Sequence, residues 1–299
     1  MHPLENLEPN AVRFLVNPGA RSGAARASVD RVRVLAGRIG AGLVVSRRVG
    51  DLAEQARRAA EDGVERLLVA GGDGTMHHAV QGLAGTTTAL GVIPLGTGND
   101  LALALGTPRD LEEAVRHALA APVRRIDLIR AGDTFCVGYA GAGFDSEVTR
   151  RANQVRWGRG RWIYPWSALR TLVSFAPPLA KVVWDGGTFE GRVMFVDAAN
   201  LPTYGGGMRI APSARIDDGL LDLLILKEVS RLTFLSVFPK VYKGEHVGHP
   251  ALLLETARRV EIEIDRPVDL YGGGEPIRPV AAGEKIVLEV MAGGLAVAG

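Results

Sequence analysis

The chain has 299 residues, 47% apolar and 23% charged, the profile of a folded soluble chain rather than a disordered one or a coiled coil. Its length suits about two domains, each with its own core. The 35 basic and 33 acidic residues leave a formal charge of +2, too small a surplus for a protein that coats nucleic acid. Only five of the basic residues are lysines, and none precedes Lys181, so neither a P-loop NTPase nor a protein kinase fits the first half. The single cysteine, Cys136, excludes an internal disulfide and a cysteine zinc cluster.

The first ~125 residues alternate short apolar runs with helical patterns, as in a parallel α/β sheet. Strands are expected at 12–16, 43–45, 66–70 and 90–93. Between and after them, helices are expected at 24–39, 51–60, 76–83, 100–105 and 110–119. From about Ile126 strand-like runs dominate, at 135–139, 181–184, 192–196, 220–226, 260–264 and 285–290. Two helical stretches, 145–155 and 230–241, interrupt them. The expected fold is α/β: a doubly wound N-terminal domain over residues 1–126 and an antiparallel β-sandwich-like domain over 127–299. A cleft is expected between them, and the last residues are candidates to return to the first domain. No signal peptide pattern opens the chain, and the longest uncharged stretch, 76–99, is broken by glycines and Pro94. A cytoplasmic location is expected.

Three loops carry the chemistry of the first half. Gly71-Gly72-Asp73-Gly74-Thr75 follows a buried strand and opens a helix, so its amides and the helix N-terminus suit an anion. An aspartate in such a turn makes sense where a cation bridges to phosphate or a hydroxyl loses a proton; the plainer reading is an N-cap. Asn17-Pro18-Gly19-Ala20-Arg21-Ser22-Gly23 follows the first strand, and Pro94-Leu95-Gly96-Thr97-Gly98-Asn99-Asp100 follows the fourth. If the strands are parallel, all three loops gather at their carboxyl ends, where open α/β sheets bind ligands.

These motifs, in order with Gly205-Gly206-Gly207, Ala211-Pro212 and Asp217-Asp218-Gly219-Leu220-Leu221, resemble the diacylglycerol kinase catalytic-domain family, in its bacterial soluble branch. NAD kinases share the glycine turn, but the later motifs favour the lipid kinases. The resemblance implies a kinase that uses ATP and Mg²⁺ to phosphorylate the hydroxyl of a diacylglycerol-like lipid. It assigns ATP contacts to Asn17, Ser46, Gly71, Gly72, Asp73, Gly74, Thr75, Met76, His77, Thr97 and Asn99. A magnesium site falls on the Asp218 carboxylate and the carbonyls of Arg215 and Leu220. The general base falls on Glu275, with Asp73 as a second catalytic carboxylate.

One position departs from the pattern. The family's late Asp-Gly-Glu reads Gly273-Gly274-Glu275 here, so a supporting carboxylate is missing. That leaves open another acceptor (phosphatidylglycerol, a sphingoid base or NAD) or a protein that binds without catalysis. Residues 150–170 hold six arginines and no acid, interleaved with Trp157, Trp162, Tyr164 and Trp166. That composition suits either transient contact with an anionic membrane or a helix packed under arginine stems. The expected partners are a lipid substrate and a membrane surface, with no nucleic acid; a homodimer is left open.

Overall fold

The computed structural model describes residues 11–18, 24–48, 50–154 and 163–299. Residues 19–23 and 155–162, with Ser22, Gly23, Trp157 and Trp162, lie outside the described residues. The chain forms two compact units: one runs to Leu128 and takes in Gly293–Gly299, the other spans Ile129–Ala292.

The first unit holds β1 (Val12–Val16), α1 (Ala24–Arg38), β2 (Gly42–Val45), α2 (Asp51–Glu61), β3 (Arg66–Gly71), α3 (Asp73–Leu83), β4 (Ala89–Pro94), α4 (Asp100–Ala104) and α5 (Leu111–Ala120). β1 pairs in parallel with β2 and with β3, and β3 pairs in parallel with β4. Leu67, Leu68, Val69 and Ala70 are all buried, as expected of a strand with helices on both faces. α5 starts where Asp110 accepts hydrogen bonds from the amides of Glu112 and Glu113 at 3.0 and 3.1 Å.

The chain end belongs to this sheet. Val297 and Ala298 pair in parallel with Leu90 and Gly91 of β4. The Gly293 amide donates to the Asp127 carboxylate at 2.7 Å, and Arg124 Nε donates to the Gly299 carbonyl at 2.7 Å.

The second unit is antiparallel. It contains β6 (Thr134–Cys136), β7 (Tyr139–Gly143), α6 (Phe144–Gln154), α7 (Ile163–Ser174), β8 (Leu179–Trp184), β9 (Gly187–Ala199), β10 (Leu221–Lys227) and α8 (Arg231–Val237). A 3₁₀ helix (Phe238–Lys243) follows, then β11 (Leu252–Ala257), β12 (Arg259–Ile264), β13 (Val268–Gly272) and β14 (Glu275–Val280). β5 (Val123–Ala131) carries the chain in, and β15 (Lys285–Ala298) carries it back out.

The 13-residue β9 serves two sheets: its first half pairs with β8, its second with β7 and β10. β12 shows the governing pattern, with Val260, Ile262 and Ile264 buried between more exposed Arg259, Glu261 and Glu263. Those three residues meet Ala140, Val196, Leu223 and Leu270 in one apolar core between the sheets.

Several elements differ from the sequence expectation. α3 begins at Asp73 rather than Met76, because Gly72 takes the N-cap position. The run 135–139 is two strands, since the Gly138 carbonyl turns to accept the Asn200 and Leu201 amides at 2.8 and 3.3 Å. β14 is hidden in sequence by Pro276 and Pro279; prolines are tolerated there because it is the edge strand. β5, β11, β13 and α7 also had no clear periodic signal.

Gly82 packs α3 on α2: a Cβ there would lie 2.2 Å from the Ala53 carbonyl oxygen and 2.6 Å from the Arg57 nitrogen. Gly82→Ala is expected to cost ~1–3 kcal/mol in thermal or urea unfolding. Gly37→Ala, in helix α1 with nothing within 4 Å, is expected to be neutral or stabilising by a few tenths of a kcal/mol.

Candidate active site

Because β1 to β4 run parallel and in register, their carboxyl ends form one edge. Val16 stands opposite Val45 and Ala70, and Gly71 opposite Pro94. The loops carrying Asn17, Ser46, Gly72 and Thr97 therefore leave the sheet side by side.

The glycine turn and the Pro94–Asp100 loop touch backbone to backbone. A Cβ on Gly96 would lie 2.6 Å from the Gly72 Cα, and one on Gly98 would lie 2.6 Å from an Asp73 oxygen. Asp73 makes the junction: its two carboxylate oxygens accept the Asn99 and Asp100 amides, each at 2.7 Å. Asn99 adopts the left-handed region at φ 57°, its side chain receiving the Gly96 amide and donating to the Gly96 carbonyl, both at 2.9 Å. Asp73 thus caps the start of α4, not its own helix.

The first amides of α3, on Asp73, Gly74 and Thr75, have no acceptor within the helix and carry its positive end. Asn17 Nδ2 donates to Thr75 Oγ1 at 3.1 Å, fastening the first loop to this helix. Ser46 is buried with an unpartnered hydroxyl, although its amide is bonded to Val16. Met76 and His77, the two residues after Thr75 in α3, are buried as well. Burial, and to a smaller degree His78, pushes the His77 imidazole down to about 4, so it is neutral at pH 7. Thr97 sits between the two glycines of its loop.

In the second unit, Glu275 opens β14 directly after a two-residue turn from β13. Gly272 pairs with Glu275, and Gly273 and Gly274 have φ of 58° and 83°. Two successive left-handed residues make a type I′ hairpin turn, which Asp-Gly and Gly-Gly both suit. The Gly273 amide donates to the Tyr139 carbonyl at 3.0 Å, tying the turn to β7. Glycine at 273 therefore suits the hairpin that carries Glu275.

The Asp217-Asp218-Gly219 turn lies just before β10. Asp218 Oδ1 accepts the Leu220 amide at 3.1 Å, and Gly219 has φ 74°. Asp222 stands nearby, accepting from the Ser213 hydroxyl at 3.2 Å; burial first, then the Asp218 charge, pushes it up to about 6. No group of three His, Cys, Asp or Glu side chains gathers anywhere among the described residues. The oxygen donors here, one exposed carboxylate with backbone carbonyls and a second acid close by, fit a hard cation such as Mg²⁺.

A buried acid pair escaped the sequence reading. Asp145, in the first turn of α6, and Asp197, on β9, are buried acids that neighbour one another, and Tyr204 donates to Asp197 Oδ2 at 3.4 Å. Gly141 makes room, since a Cβ there would meet an Asp197 oxygen at 1.9 Å. With both acids ionised, Asp145 Oδ1 and Oδ2 and Asp197 Oδ1 find no donor. A shared proton supplies one. Desolvation accordingly pushes Asp145 up to about 6 and Asp197 well above its usual range. Only its position 52 residues further along the chain brings Asp197 to Asp145, so no local motif announces the pair.

Two outcomes follow from these contacts. Asp73→Ala strips acceptors from two amides and should cost ~2 kcal/mol of unfolding free energy. The acid pair gives stability that is full below the unfolded value of 3.8 and is lost as pH rises through about 6. Asp197→Asn, with a permanent donor, should flatten that decline and raise Tm at pH 8 by several degrees.

Two family models match the chain: the diacylglycerol kinase catalytic domain over residues 11–131, and the YegS C-terminal NAD kinase β-sandwich-like domain over 138–298. A diacylglycerol kinase of Mycobacterium tuberculosis is 35% identical over 292 residues, covering 93% of each chain. One of Bacillus subtilis is 31% identical over 76% of each. A probable YegS-like lipid kinase of Chromohalobacter salexigens is 36% identical over 61% of this chain and 60% of that one. The crystal structure of a diacylglycerol kinase-like protein from Bacillus anthracis superposes with a TM-score of 0.79 over 98% of both chains at 22% identity, a likeness of fold. With these two models matching in order along the chain and a relative 35% identical over 93% of it, the chain belongs to the diacylglycerol kinase catalytic-domain family and is a lipid kinase.

Proposed function

We propose that the chain transfers the terminal phosphate of ATP, with Mg²⁺, to the hydroxyl of a diacylglycerol-like lipid. The observation that carries this reading is the glycine junction locked by Asp73. It holds two glycine loops and the open N-terminus of α3 at the carboxyl edge of a parallel sheet, an arrangement that receives phosphate through backbone amides. The unpartnered Ser46 hydroxyl at the same edge suits a further polar contact to the nucleotide.

In the transfer, a bond forms between the lipid oxygen and the terminal phosphorus while the bridging P–O bond to ADP breaks. The hydroxyl proton passes to the Glu275 carboxylate. Such transfers depend chiefly on positioning and charge neutralisation, so Glu275 serves even without a carboxylate at position 273. Asp73 acts here as a positioning residue through the Asn99–Asp100 amides. A cation on Asp218 and the carbonyls of Arg215 and Leu220 would steady the turn before β10, and Mg²⁺ supplies charge neutralisation to the phosphates when bound. No helix among the described residues is long and apolar enough to cross a membrane.

The test is transfer of labelled phosphate from Mg-ATP to a panel of lipids in mixed micelles. Label is expected in phosphatidic acid, with kcat lowered at least ~100-fold in Glu275→Gln. Gly273→Asp should keep the hairpin and leave turnover within a few-fold of wild type. Undiminished turnover in Glu275→Gln would remove it as the base, and label confined to another acceptor would replace diacylglycerol.

A further inference from the structure

The sheet face of the second unit that carries Asp197 is covered by α6, α7, α8 and the 3₁₀ helix. Their inner sides form a second apolar core with Phe144, Leu172, Phe234 and Val241. The Phe144 ring joins them, packing edge-on to Phe175 at 5.3 Å and to Phe234 at 4.8 Å. Arg231 Nη2 donates to the Val173 carbonyl at 2.7 Å, so the start of α8 abuts the end of α7.

The outer side of α7, α8 and the 3₁₀ helix carries exposed apolar residues as well. In α7 the residues facing inward are Ser167, Ala168, Thr171 and Leu172; those facing out include Trp166, Leu169 and Val173. Leu232 and Leu235 face out from α8, and Tyr242 from the 3₁₀ helix. Val173 is 68% exposed and Leu232 80%, values a solvated helix face rarely gives to large apolar side chains. The spacing 166, 169, 173 is one helical stripe.

Charge selects among the surfaces that could cover it. α7, α8 and the 3₁₀ helix contain no aspartate or glutamate, while Arg170, Arg231, Lys240 and Lys243 are all exposed on them. Glu228 and Glu245 are the exposed acids just beyond the ends of α8 and the 3₁₀ helix. Arg170 lies 5.4 Å over the Trp166 ring, pairing a cation with an interfacial aromatic. Leucine and valine tips with a tryptophan and a tyrosine, set among cations, match the boundary between lipid headgroups and acyl chains. We propose that the outer face of α7, α8 and the 3₁₀ helix docks the enzyme on an anionic lipid bilayer. This rests on the proposed lipid acceptor and names the surface by which the second unit reaches it.

The experiment is co-sedimentation of the full chain with vesicles of phosphatidylcholine alone, or with about one quarter phosphatidylglycerol. The wild type should pellet with the anionic vesicles. Val173→Ser/Leu232→Ser/Leu235→Ser should bind them at least ~10-fold more weakly with unchanged melting, since all three side chains already face water. It should also keep wild-type kcat/KM on a short-chain, water-soluble diacylglycerol. Arg170→Gln/Lys240→Gln/Lys243→Gln should lose the preference for anionic vesicles. A wild type that ignores vesicles, or a triple serine variant that binds like wild type, overturns the proposal. So does a wild-type dimer in solution that the serine substitutions dissolve, which would give this face to a second copy. Because the readout is binding, a wild type that pellets but phosphorylates no lipid sinks the kinase reading while supporting this surface.

Discussion

Two hydrogen bonds hold the carboxyl edge of the first unit's sheet in shape: those from the Asn99 and Asp100 amides to the two oxygens of Asp73. A carboxylate paired with two amides gains charge-assisted bonds and satisfies donors that the short helix α4 could not satisfy itself. The glycines follow from that junction. Gly72 and Gly96 come so close that a side chain on Gly96 would strike backbone, and Gly98 must stay bare to leave room for the Asp73 carboxylate. Asn99 accepts a left-handed backbone so that its amide can turn toward Asp73. Change Asp73 and these concessions lose their purpose.

The second unit solves a different problem with the same economy of small residues. β9 must serve two sheets and also present Asp197 to Asp145, and Gly141 on the neighbouring strand vacates the space. The β13–β14 hairpin bonds to β7 beside them, through Tyr271 opposite Gly141 and the Gly273 amide on the Tyr139 carbonyl. Glu275 therefore stands on a strand register anchored to the interior of its unit, not on a free loop. The buried acids Asp145 and Asp197 beside that register, both raised by desolvation, make the unit's stability depend on pH.

Much of the fold was legible because hydrophobic period and loop chemistry agree locally. β1 to β4 and α1 to α5 all lie where apolar runs and helical faces put them, within a few residues. What failed did so for nameable reasons. Proline masked β14, which an edge strand tolerates. The 135–139 run looked continuous because the bend at Gly138 is made by partners at Asn200 and Leu201, far along the chain. Asp73 was visible as a special acid, but as an N-cap it serves the start of α4 rather than its own helix, because the amides it accepts lie 26 and 27 residues on.

The motifs and their order were enough to assign the family, since glycine turns, the Asp-Asp-Gly turn and Glu275 are each local in sequence. Their chemistry is local as well: a turn needs its own residues to reach its own dihedral angles. Which carboxylate does what was decided only by folding. Asp73 is bound to amides 26 and 27 residues away, Asp145 meets Asp197 across a helix and a strand, and the apolar outer stripe of α7 joins that of α8 only where Arg231 reaches Val173. Such pairings depend on distances between elements, which no local pattern of residue types encodes.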